Sequence, residues 1–374
     1  MIAIIYIILL LTVLLPGAKI AGTGTLVEQP FSAIDSKEIQ GFFALCILVH
    51  HVSLRVRFFD HYSGDMVFFE DIGTLLVGFF FLCSGYGLYV SFQNKEHYLD
   101  TFMKRRVVTV MVPFFICNYA YMFTALMLGH QFTTKELVAS FFGFRLLNDH
   151  MWFAVEIMII YLLFYITFRY VKKDVWRFLL IGCMLLVMCI ISFLLGHDPT
   201  EDNLAYTWFR GEWWYNTTPL FFAGLLMGKF RTQLIRWVRK YYKVLFPVVV
   251  VAFIGFYKAT MYMIQVKGGY WTETELDPAY GNKLCTLAVQ VPMVAAFEVL
   301  VVLIMLKVRF QNVVLRFLGT ISLEMILLEN VFMLYFSERE IQLNVHVYCM
   351  IVIACTIGIA TGINWIKQLI LEKK

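Results

Sequence analysis

The chain has 374 residues, of which 60% are hydrophobic and only 15% charged, with a formal net charge of +5. A water-soluble domain carries about a quarter charged residues, so this composition excludes one and points to membrane. The modest positive charge falls in short loops between apolar runs, which excludes a nucleic-acid binder and fits membrane topology instead.

About twenty apolar residues cross a bilayer as helix. By that measure the spans lie near 2–17, 39–58, 72–92, 106–128, 151–170, 177–196, 215–229, 244–264, 285–306, 314–336 and 345–367. The fold class is therefore all-α, a polytopic transmembrane bundle of about ten core spans with one extra N-terminal span. The first run, Met1 to Pro16, lacks the basic start of a secretory signal and reads as a retained span. A linker near 18–36 follows, which divides the chain into an N-terminal span and linker (1–32) and a membrane domain (33–374). The span at 215–229 is short and reads as broken or tilted. All eight cysteines lie in or beside apolar runs and none shows C-x-x-C spacing. They read as core residues, without a disulfide framework or a metal centre.

Loop charge sets the orientation. Lys104, Arg105, Arg106, Arg169, Lys172, Lys173, Arg177, Lys229, Arg231, Arg236, Arg239, Lys240, Lys307, Arg309, Arg316, Lys373 and Lys374 occupy one set of loops. The alternate loops hold Asp198, Glu201, Asp202, Glu212, Glu273, Glu275 and Asp277. The basic side is cytoplasmic. The span that starts at Lys37 then runs outward, and His51 lies beyond its midpoint.

An imidazole inside a bilayer span is costly to place and titrates near neutral pH, so it is a candidate acid or base. A satisfied structural histidine is the competing reading. Glu156, Lys258, Glu298, Glu324 and Glu329 also fall inside spans and must face the bundle interior, a partner or water. Pairing, for instance Lys258 with Glu298, competes with a proton or ion pathway. Gln40 and His51 are eleven residues apart, close to three turns, and share a face that His50 does not. Ser322 shares a stripe with Glu329, and Trp152 with Glu156. In a bundle such stripes converge on one cavity. Ser84 sits in Phe80-Phe81-Leu82-Cys83-Ser84-Gly85-Tyr86 without a Gly-x-Ser-x-Gly elbow, and packing is the better reading for it. No dinucleotide, Walker or H-E-x-x-H motif occurs.

Several segments in order carry a resemblance. Gly41 and His51 stand ten residues apart, and the Phe80 to Tyr86 run follows. Lys104-Arg105-Arg106 leads to Pro113. Then come His150-Met151-Trp152-Phe153 with Tyr161, Phe222 to Gly228, and Leu318-Gly319-Thr320-Ile321-Ser322-Leu323-Glu324. Over about residues 33–368 the chain resembles the acyltransferase 3 family of bacterial integral membrane proteins. Two departures stand out: the family often has arginine where this chain has Gln40, and histidine where it has Glu329.

The resemblance implies transfer of an acyl group, often acetyl, from cytosolic acyl-CoA to a hydroxyl of a cell-surface or lipid-linked glycan, at the bacterial inner membrane. It implies no bound cofactor; acyl-CoA is a substrate. His51 would be the acid–base residue, with Glu329 holding or taking a proton. Gln40, Ser84, Arg105, Arg106, Trp152, Glu156 and Ser322 would line the substrate path, the two arginines at the donor's anionic end. The outer aromatics Trp208, Trp213, Trp214, Tyr270 and Trp271 would stack on sugar rings or form an interfacial belt. A transporter or flippase of a glycan or small anion would use similar intramembrane charges. A noncatalytic scaffold would not need so many, and no duplicated halves signal a carrier.

Overall fold

The computed structural model describes residues 2–22, 25–27, 31–59, 64, 66–197, 206–274, 276–338 and 343–372. Asp198, Glu201, Asp202, Glu275, Lys373 and Lys374, used above for orientation, lie outside these residues.

The fold is a helical bundle. In chain order its helices are α1 (Ile2–Leu14), α2 (Ala33–Val56), α3 (Gly73–Asn94), α4 (Phe102–Arg106), α5 (Val112–Met127), α6 (Thr134–Phe141), α7 (Trp152–Tyr170) and α8 (Asp174–Leu195). There follow α9 (Trp213–Asn216), α10 (Pro219–Lys229), α11 (Arg231–Met261), α12 (Tyr280–Met305), α13 (Val313–Thr320), α14 (Ser322–Glu338) and α15 (Val345–Glu372). Among the described residues, eight helical segments are long and apolar enough to cross a membrane, and α13 with α14 makes a ninth bent by 72°. The expected span at 215–229 is two short helices, α9 and α10, with Pro219 at the start of the second. The expected span at 106–128 begins four residues earlier, at Phe102, and contains a π-helical turn over Val107–Met111. Pro113 follows directly and lacks the N–H that an unbroken α-helix needs there.

Two strand pairs tie loops together. Antiparallel β1 (Lys19–Ile20) and β4 (Val308–Arg309) join the segment after α1 to the loop before α13. Asn312 Nδ2 also donates to the carbonyls of Val13 and Pro16, at 2.7 and 3.2 Å. On the other side β2 (Arg145–Leu146) pairs with β3 (Tyr206–Thr207).

Small residues set the closest helix contacts. A Cβ on Gly41 would lie 2.0 Å from the Leu315 carbonyl oxygen, and one on Gly319 2.0 Å from that of Lys37, so α2 and α13 touch backbone to backbone. Gly85 and Gly224 do the same for α3 and α10, at 2.1 Å from the Phe221 oxygen and 2.2 Å from that of Leu82. Without a hydrophobic drive between helices in lipid, such contacts hold the bundle. Gly85→Val is therefore expected to cost about 1–3 kcal/mol or more. Gly87→Val, where an added Cβ meets nothing within 4 Å, is expected to be silent. Recovery of monodisperse protein and its melting temperature in detergent check the pair.

Candidate functional site

His51 lies in the C-terminal half of α2, where the helix meets α14 and the start of α7. Its Nδ1 bonds the Glu329 carboxylate, whose Oε1 also takes the Nδ1 of His150 at 3.1 Å. The two imidazoles stack, with centroids 3.7 Å apart and planes 22° off parallel. Glu329 is fully buried, and its second oxygen has no partner among the described residues. With the carboxylate ionised, both rings hold the Nδ1–H tautomer and leave each Nε2 as an acceptor.

His150 is positioned by its neighbours. Its backbone N–H donates to Asn148 Oδ1 at 3.1 Å. Asn330 Nδ2, beside Glu329 on α14, donates to the same oxygen at 2.9 Å, and Asn148 Nδ2 reaches the Leu327 carbonyl at 3.2 Å. The turn before α7 is thus stapled to α14. His50 takes no part in the Glu329 contact: its Nδ1 meets the Phe69 carbonyl oxygen at 2.8 Å, and its ring abuts Gly73 at the start of α3.

The donor atoms of His51, His150 and Glu329 lie within 4.8 Å of one another, a set that can also hold a metal ion. Motif spacing does not reveal it, because the three come from separate elements. Metal ligands splay around an ion. Here both Nδ1 atoms converge on one carboxylate oxygen, the pattern of a carboxylate orienting two imidazoles.

His50, His51 and His150 line a cavity of about 1350 Å³ that continues among the loops holding Glu70, Glu212 and Glu273. Trp152, Phe80 and Phe153 line it too, with Trp213, Tyr270 and Trp271. Its charged walls are mostly acidic, with Glu70, Asp71, Asp149, Glu212 and Glu273 against Arg57 and Arg210. That field disfavours an anionic occupant and suits a hydroxyl-bearing one. Of the expected site residues, His51 and Trp152 line this cavity, and Glu329 stands behind the histidines.

The remaining candidates lie elsewhere. Glu156 is buried and takes a hydrogen bond from Thr218 Oγ1. Ser322 is buried at the α13–α14 bend and donates to the Gly319 carbonyl at 3.1 Å. Gln40 is half-buried. Ser84 Oγ and the Tyr161 hydroxyl share a hydrogen bond of 2.8 Å, and the Arg106 guanidinium lies 4.8 Å from the Tyr161 ring centre. Arg105 is exposed, on a different side of the same turn. Glu324 pairs with Lys367 of α15 rather than with a substrate path. The suggested Lys258–Glu298 pair is not formed: Lys258 is exposed, and both oxygens of buried Glu298 lack partners among the described residues.

A second polar cluster lines the same cavity. His197 Nε2 bonds Glu212 Oε2 at 2.5 Å and its Nδ1 lies 3.3 Å from Glu273 Oε2, with the Trp271 ring 4.4 Å away. Lys283 Nζ reaches the same Glu273 oxygen at 3.1 Å. Burial pulls the His197 pKa down, but the two carboxylates more than offset it and hold the imidazole above its ordinary 6.5. Burial likewise raises Glu273, yet Lys283 and His197 keep it below the usual carboxylate range. The charged clamp therefore contributes fully between the ordinary carboxylate value of 4.5 and pH 6.5, and is lost as pH rises through the raised His197 value or falls through the lowered Glu273 value. The expected result is a melting temperature that falls with rising pH in this range, with the fall reduced in His197→Gln.

The model of a family described as an acyltransferase domain, the acyltransferase 3 family, matches residues 39–365. No curated protein matches the chain. No solved structure matches it either.

Proposed function

Given that the chain belongs to the acyltransferase 3 family and is a membrane acyltransferase, we propose that it is an O-acyltransferase of the bacterial inner membrane. Its donor is cytosolic acyl-CoA, most simply acetyl-CoA, and its acceptor a hydroxyl of a cell-surface or lipid-linked glycan. The observation that carries this reading is the His51–Glu329–His150 group at the wall of a wide, outward-running, acidic cavity.

The chemistry follows from the tautomer. His51 Nε2 takes the proton of the acceptor hydroxyl as its oxygen attacks the thioester carbonyl carbon. The tetrahedral centre collapses, the C–S bond breaks, and the thiolate leaves with the proton from His51. Ester and free thiol are the products, and the histidine returns to its starting state. Glu329 holds the Nδ1–H and balances the imidazolium while it lasts. Trp152, Trp213 and Trp271 offer faces for sugar rings, while Arg106 with Tyr161 and Ser84 marks the inner path of the donor.

The test is turnover of radiolabelled acetyl-CoA by the purified protein, with and without envelope glycan fractions. Label appearing in glycan as base-labile ester supports the proposal. Stable acetyl-CoA under every acceptor condition, together with vesicle transport of a glycan, would move the reading to a carrier.

A further inference from the structure

The acidic walls of the His51 cavity are not all balanced. Glu212 and Glu273 share His197, and Glu273 also takes Lys283. Glu70 faces Arg57 at 3.9 Å. Asp71 and Asp149, which line the same cavity, have only neutral partners among the described residues. Asp71 meets the Gln265 amide at 3.2 Å. Asp149 Oδ1 takes the His150 backbone N–H at 3.0 Å and Asn330 Nδ2 at 3.4 Å. The same oxygen lies 3.6 Å from His150 Nε2, which carries no proton in the tautomer described above. Asp149 Oδ2 is without a partner among the described residues, and the side chain is 39% exposed. Arg210, the other cation of the wall, is turned to the carbonyls of Leu195 and His197. The cavity thus keeps two open negative charges, one of them beside the His150–His51 stack.

A second set of groups points to what those charges hold. Asn216, Thr217 and Gln290 line the cavity and are each more than nine-tenths buried. Asn216 Oδ1 and Thr217 Oγ1 have no partner among the described residues. The Gln290 oxygen accepts from the Tyr270 hydroxyl at 2.7 Å and from Asn216 Nδ2 at 3.3 Å, which leaves its own amide donor uncommitted among the described residues. Polar atoms buried in this way are completed by water or by a ligand. Open donors and acceptors together match ring hydroxyls, which do both. The Trp152, Trp213 and Trp271 side chains line the cavity as well. Carboxylates set among aromatic faces suit an organic cation. A hard metal ion would need a shell of about six or more oxygens instead.

We propose that the acceptor is a cationic glycan, an amino sugar whose amine is free, with its ammonium group held by Asp149 and Asp71. The proposal rests on the glycan-acceptor reading above and names the chemical class of that acceptor. An amine held as ammonium has no lone pair to attack with. A ring hydroxyl at His51 therefore remains the nucleophile, and the product is an ester beside an unmodified amine.

The experiment titrates the full-length protein in phosphatidylcholine nanodiscs at pH 6.5 with the trisaccharide of glucosamine and with its fully N-acetylated form. The two differ only in the charge and bulk at nitrogen. Loss of one charge-assisted contact is expected to weaken binding of the glucosamine trimer to Asp149→Asn by about ten- to a hundredfold, and to leave the N-acetylated trimer unchanged. Asp149→Glu is expected to restore it in part, and Asp71→Asn to weaken it in the same direction. Added salt is expected to weaken the glucosamine trimer alone. Asp100→Asn, a carboxylate outside the cavity that pairs with Arg169, is the control. Equal binding of the two trimers, binding of neither, or glucosamine binding that ignores both substitutions overturns the inference and leaves the acyltransferase reading standing. Radiolabel from acetyl-CoA that enters the glucosamine trimer as base-labile ester supports it, whereas label in base-stable amide makes the amine the nucleophile and overturns it. Binding that follows the expected pattern without any turnover of acetyl-CoA supports the cationic site and counts against the acyl-CoA reading.

Discussion

His51→Ala is expected to abolish acyl transfer while the protein still accumulates and folds. A general base contributes about 10²–10⁴-fold, so the loss should reach that range in kcat. His50→Ala is the informative partner. Its imidazole holds the Phe69 carbonyl and packs on Gly73, so its removal should lower stability by about 1–3 kcal/mol and leave turnover per folded molecule nearly intact. His150 stacks on His51 and shares its carboxylate, which makes it the one neighbour able to stand in. A residual rate in His51→Ala that vanishes in the His51→Ala/His150→Ala double variant would assign it that reserve role. Full activity in His51→Ala with loss in His150→Ala would instead make His150 the base.

The spans were legible because lipid demands long apolar helices, and that demand writes itself into local composition. Breaks inside an apolar stretch leave a fainter mark. Residues 314–336 read as one span, yet the chain turns by 72° between α13 and α14. The reason lies in groups that hydropathy does not weigh: Gly319 must press against the Lys37 backbone, and its carbonyl is taken by Lys37 and Ser322. Likewise, 215–229 is apolar enough to suggest a span, but Pro219 and the Gly85–Gly224 contact make it a short helix seated on α3.

The site was legible only along single helices. Gln40 and His51 share a face of α2, and Trp152 and Glu156 share one of α7, but the structure splits both pairs: His51 lines the cavity and Gln40 does not. Trp152 lines the cavity while Glu156 turns to Thr218. Periodicity says which residues share a stripe; it does not say which part of the stripe meets the cavity. His150 lies outside the hydrophobic core of its span, in the polar run Asn148-Asp149-His150, and nothing local ties it to Glu329. That tie is made by Asn148 and Asn330 across 182 positions of sequence.

Glu329→Gln separates function from stability most sharply. The carboxylate is fully buried, and one of its oxygens is without a partner among the described residues, so its burial costs folding energy. With both imidazoles neutral the buried carboxylate has no counter-charge, so a neutral amide of the same shape removes the cost of burying a charge and strands no opposite one. The amide should therefore leave the melting temperature equal or higher. Activity should fall steeply, because an amide oxygen still accepts one Nδ1–H but no longer balances the imidazolium charge as the proton moves. In a hydrolase triad, loss of the equivalent carboxylate costs about 10⁴-fold in kcat. Here a loss of about 10²–10⁴-fold is expected, with little change in the Michaelis constant for acyl-CoA. Steady-state kinetics and thermal melts of one preparation measure both sides. A variant that loses stability and activity in parallel would make Glu329 a packing residue, whereas one that keeps or gains stability as it loses turnover marks a charge retained for the reaction.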